Sequence, residues 1–221
     1  TPADSAFRET QRTKTWVNAT IKEMATEIAG KAGIALFWDV QGAEFTIESI
    51  EQSKKTDCEF LMSLCDTYGY SMKVYANKIV IFDREEYKAK GVVATFAPSD
   101  LESFSWKSTL AGTYTGGEYT YTQQLSEYDI VAKVGGGNRI LKMSGKADSV
   151  ADAERKIKAA VNKANHGATS MQVTIMGNAS LYAGQCINIT GLAKLSGKYY
   201  IDKVTHSLGS GYTMQLDLSK V

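Results

Sequence analysis

Two histidines, His166 and His206, and three cysteines, Cys58, Cys65 and Cys186, are the side chains from which nucleophilic or metal chemistry near neutral pH would first be built. Pairing a thiol with His206 would make a Cys–His hydrolase, but nothing in the spacing brings the two together. His166 falls beside a helix stop, where an imidazole complements the helix dipole. No Cys-x-x-Cys pair, His-Glu-x-x-His or Asp-rich calcium loop occurs, so no metal-ligand set is recognisable. The run Gly135-Gly-Gly-Asn-Arg139 lacks the Lys-Ser/Thr of a phosphate loop and opens no helix, so it reads as a flexible loop. Carboxylate pairs such as Glu85-Glu86 sit in charged, solvated stretches. An acid–base pair assembled from distant residues stays open. No catalytic residue, metal or cofactor is expected, and binding or assembly becomes the default.

Composition points the same way. Lys+Arg 25 against Asp+Glu 24 leaves a net charge of +1, without the concentrated positive charge that phosphate backbones attract. Specific nucleic-acid binding is therefore not expected. With 43% hydrophobic and 22% charged residues and two prolines, the chain is globular and long enough for one large or two ordinary domains. No apolar stretch approaches the roughly 20 residues of a membrane helix, so membrane insertion is not expected. Cys58 and Cys65 lie about 10 Å apart along a helix and cannot bridge. Three reduced, mostly buried thiols are expected.

The strongest local pattern is a pair of matched helices. Thr20 with Glu23, and Thr56 with Glu59, are capping boxes. Each opens an apolar stripe, Ile21, Met24, Ala25, Ile28, Ala29 and Ala32 in the first and Phe60, Leu61, Leu64, Cys65 and Tyr68 in the second. Each stops at a glycine, Gly33 or Gly69. Caps and stops are both 36 residues apart, a quasi-repeat. Residues 34–38, 45–50, 70–75 and 78–82 read as strands, the last two as a hairpin. Residues 1–90 are thus predicted to form a small α+β domain with two capped helices.

Residues 91–221 read as predominantly β. Phe104 and Trp106 precede the stretch 113–122, where Tyr114, Tyr119 and Tyr121 alternate with hydroxyl residues around Gly116-Gly117, a pattern predicting a hairpin with a primed turn. Such a hairpin could contact another subunit or face its own core. Residues 128–134 suggest a further strand, and Ser149 opens a third helix, with Val150, Ala153, Ile157, Ala160, Val161 and Ala164 on one face and Gly167 as its stop. Strands at 171–175, 186–189, 199–204 and 212–218 follow, separated by turns such as Gly209-Ser-Gly211, and argue for a barrel or sandwich. The fold class is α+β.

The block 50–82, carrying Gln52, Asp57, Phe60, Leu61, Tyr68 and Gly69, resembles the late control protein D group, the baseplate hub proteins of contractile phage tails, and the hub portion of type VI secretion spikes. Trp16 and the segment after it are similar to the block that precedes it there. Gly184, Gly197, Tyr199, His206 and Tyr212 follow the order of that family's ending. The resemblance implies a non-enzymatic homotrimer in the full-length context, with a tail-tube-like antiparallel β-barrel carrying one helix. It implies tail tube, central spike and baseplate proteins as partners. It places the protein in the virion, assembled in the bacterial host cytoplasm. Family members carry a first barrel before the Trp16 block and this chain starts at Thr1, so a hub fragment or shortened hub is expected. Residues 20–33 also resemble part of a LysM peptidoglycan-binding module, although the strands expected between the helices speak against it. A cell-wall hydrolase component is the third reading.

Overall fold

A computed structural model describes residues 5–75, 77–122, 129–209 and 211–221. Thr1, Tyr128 and Ser210 lie outside the described residues. The elements are α1 (Ser5–Glu9), β1 (Gln11–Thr20), α2 (Ile21–Lys31), β2 (Ala35–Asp39), β3 (Thr46–Thr56), α3 (Asp57–Thr67), β4 (Tyr70–Tyr75), β5 (Lys78–Asp83), α4 (Arg84–Ala89), β6 (Val92–Phe96), β7 (Leu101–Ser108), β8 (Gly116–Thr122), β9 (Asp129–Gly135), β10 (Ile140–Ser144), α5 (Val150–Asn165), β11 (Thr169–Met176), β12 (Cys186–Ile189), β13 (Gly197–Leu208) and β14 (Tyr212–Lys220). The chain is mixed α+β. Two compact units form, one from residues up to Asp83 with Thr115–Val161, the other from Arg84–Tyr114 with Asn162–Val221.

The first unit is built on the repeat. Thr20 and Thr56 each accept from the backbone of Glu23 or Glu59, whose carboxylates reach back to the cap N–H. Gly33 at φ 63 and Gly69 at φ 83 take the left-handed turn that follows each helix. The repeat extends beyond the helices. β1 and β3 pair antiparallel with Thr15 opposite Glu51, residues 36 apart, as a local two-fold axis through that pair requires. Asn18 at φ 47 and Lys54 at φ 48 are also 36 apart, so both strands carry the same left-handed kink two residues before the cap. After the helices, β2 and β4 flank β5.

Asparagine enters the left-handed region readily and lysine does not. Lys54→Gly is therefore expected to raise stability by about 0.5–1 kcal/mol, and Asn18→Gly to change it little. Urea midpoints at constant slope check both.

The core of this unit joins Trp16, Met24, Ile28, Phe60, Leu61, Leu64, Ile79 and Ile81, all buried. A three-stranded sheet in the order β10-β8-β9 carries α5. Gly116-Gly117 does not form a turn but opens β8, which pairs antiparallel with β9 and parallel with β10. The reason is contact. A Cβ on Gly117 would lie 2.4 Å from Ile157 Cγ1 on α5, and one on Gly116 would lie 2.6 Å from the backbone of Val134 and Gly136. The glycines serve close approach of a helix and a neighbouring strand, not reversal of the chain. Tyr119 accordingly points into its own core, 4% exposed, with its hydroxyl donating to Lys146 O.

Polar groups secure α5 at its start. The buried Asp152 accepts from Tyr68 Oη at 2.8 Å, from the Asp148 backbone N–H and from Lys156 Nζ at 2.7 Å. Val150, expected on the apolar face, is 49% exposed, while Asp152 takes an interior place because its charge is fully hydrogen-bonded there.

The second unit is a six-stranded sheet in the order β6-β12-β13-β14-β11-β7. Its edge strands β6 and β7 are consecutive, linked through the short helical turn Pro98–Asp100. A sheet whose two edges are joined so tightly must curl, and its concave side encloses Met171, Val173, Ile175, Ile187, Tyr199, Met214, Leu216 and Leu218.

Candidate assembly site

Each residue expected to matter from its motif can be placed. Trp16 stacks on Phe60 with ring centroids 6.2 Å apart. The buried Gln52 donates to Asp57 Oδ1 at 2.8 Å and to Lys55 O, and Arg12 approaches the other Asp57 oxygen at 3.2 Å. The Gln–Asp pattern therefore ties β1, β3 and α3 together around one satisfied carboxylate. Leu61 is fully buried, and Tyr68 serves Asp152. In the second unit Gly184 donates its N–H to Ile201 O, Gly197 opens β13 opposite Ile189, and the buried Tyr199 donates to Leu195 O at 2.6 Å. Tyr114 exchanges backbone bonds with the Asn165 side chain, and Tyr121 pairs with Ile130 across β8 and β9.

The groups with chemical potential are occupied structurally. Burial pushes the Cys65 thiol up to about 12 and raises Cys58 and Cys186, the reverse of what a nucleophilic cysteine needs. All three thiols are free. His206 Nδ1 lies 2.9 Å from Tyr212 Oη with the rings stacked. His166 Nε2 lies 2.8 Å from Asp202 Oδ1, and Ser219 Oγ donates to the other oxygen. Asp202 stands between serine and histidine, so the histidine cannot take the serine proton as a base would.

Asp202 sits where the β13–β14 register slips, a bulge between Ile201 and Lys203. Burial alone would raise its carboxyl, but hydrogen bonds from His166 and Ser219 outweigh that and hold it below its ordinary value. A carboxylate depressed by folding adds stability that is full above its unfolded pKa of about 3.9 and is lost as pH falls through the folded value. Asp202→Asn is expected to be less stable than the parent at neutral pH, with the gap closing below about pH 4. A gap in urea midpoint that widens on acidification would contradict this.

What the second unit offers instead is surface. Among the described residues β13 has β12 beside only its first four residues, 197–200, and beyond the bulge it has β14 alone. β7 ends the sheet on the other side and, among the described residues, has β11 alone. Phe104 and Trp106 on β7 lie in register with the buried Val173 and Met171, yet are 43% and 55% exposed. Leu208, at the far end of β13, is 83% exposed. Apolar side chains along unpaired strand edges are what strand-to-strand association uses. Aromatic and hydroxyl patterning marks 113–122 in the sequence, whereas the edges are visible only once strand order is known.

The fold has solved counterparts. It resembles the 43 kDa tail protein of prophage MuSo2 from Shewanella oneidensis, with a TM-score of 0.76 at 13% identity, over 99% of this chain and 72% of that one. The tail protein from Neisseria meningitidis MC58 matches with a TM-score of 0.75 at 12% identity, over 95% of this chain and 69% of that one. The E. coli c3393 protein, a component of the type VI secretion system, matches at 0.61 and 11% identity, over 100% of this chain and 54% of that one. Phage tail and type VI secretion proteins thus share this fold, consistent with the late control protein D-like hub resemblance. A family model matches residues 7–219, and the chain belongs to the YQBQ-like family. No curated protein sequence matches it.

Proposed function

We propose that this chain is a structural baseplate hub protein, or part of one, of a phage tail or related contractile injection machine, connecting the tail tube to the central spike. The observation that carries this reading is the fold shared with a prophage tail protein over 99% of the chain. The curled sheet of the second unit is the tube-like part, and the two-helix repeat of the first is the hub insertion. The role is non-enzymatic: the thiols are held protonated and both histidines are committed to structural partners. In its full-length context the protein is a homotrimer that meets tube, spike and baseplate proteins in the virion, having assembled in the host cytoplasm. Native mass spectrometry of the chain co-expressed with the tube and spike proteins of its own genome tests this. A complex of three chains per spike is expected, and absence of any complex with either partner would overturn the reading.

A further inference from the structure

We infer that copies of this chain join by strand addition, the β7 edge of one lying antiparallel against residues 203–208 of β13 in the next. This deepens the assembly role proposed above and rests on it. The block β13-β14-β11-β7 alternates in direction strand by strand. Four alternating strands present opposite directions at their two edges, so copies set head to tail meet antiparallel, the more favourable ladder. Among the described residues neither edge has a strand against it.

The side chains suit a second copy. Val204, Leu216, Val173 and Phe104 form one cross-strand row, joined through successive partners. Continuing that row into the next copy sets its Phe104 against Val204, its Ser105 against Lys203 and its Ser103 against Thr205. No like charges are opposed among these pairs. The faces agree as well. Phe104 and Trp106 at one edge and Leu208 at the other continue the concave, apolar side of the sheet while standing in solvent. Neither stretch contains proline, the usual guard of a solvent-facing edge. Pairing of residues 203–208 with themselves across a two-fold axis would leave the β7 aromatics uncovered, which favours the head-to-tail arrangement.

Hydrogen exchange read by mass spectrometry on the whole chain, from dilute to concentrated solution, tests the pairing, with Trp106→Lys and Leu208→Lys as variants. Both substitutions fall on exposed side chains, and circular dichroism verifies their folding. Amides in 103–108 and 203–208 are expected to slow together by about tenfold as concentration rises. Either variant should abolish protection at both edges, because one junction uses both. Protection at one edge alone, or self-association that protects neither, overturns the pairing while leaving the tail role intact. Failure of that role would show differently, as no binding to tube or spike proteins.

Discussion

Asp152→Ala is expected to cost about 3–5 kcal/mol of folding stability, the penalty for removing one partner of a buried charged cluster. Asp152 accepts from Tyr68, from the Asp148 backbone and from Lys156, and each of these would be left without its acceptor. Lys156 would keep Lys146 O, at 2.8 Å. The Tyr68 hydroxyl, pushed upward first by burial and then by the Asp152 charge, stays protonated and donating across the working pH range. Tyr68→Phe should therefore lose less, about 1.5–3 kcal/mol, since it deletes one bond to a charged acceptor. Denaturant titration of both variants would show the order. A Tyr68 variant that matched the Asp152 variant would mean the hydroxyl, not the carboxylate, holds the cluster.

Gly117→Ala is expected to cost about 1–3 kcal/mol through overpacking. The new methyl would meet Ile157 Cγ1 at 2.4 Å, Ile157 Cδ1 at 2.8 Å and Val161 Cγ2 at 2.9 Å. Ile157 is fully buried and has little room to move aside. The direct check is a double-mutant cycle with Ile157→Ala. Removing the opposing side chain should make the alanine at 117 nearly harmless, so the double variant should be more stable than the two single costs predict. Simple additivity would show that the glycine serves β8 by its backbone freedom rather than by its size.

How far these features could be read in advance depends on how local they are. The capping boxes at Thr20 and Thr56 and the glycine stops are contacts within four residues, and the 36-residue repeat lies in the order of residue types. β1 has no sequence signature because Trp16 is the one buried side chain between Gln11 and Thr20, so the strand shows no apolar alternation. Gly116-Gly117 fits a turn and a close approach equally well until Ile157, forty residues later, is seen against it. Asp152 reads as an ordinary first-turn acid, and its burial is decided by Tyr68, 84 residues away. The exposed aromatics of β7 gain meaning only from strand order, which places an early strand beside the late β11.

Electron cryomicroscopy of particles carrying this protein tests the structural role most directly. The reading predicts its density at the end of the tail, between tube and spike, with particles lacking the protein failing to join the two. Complete tails assembled without the chain, or density for it away from that junction, would contradict it.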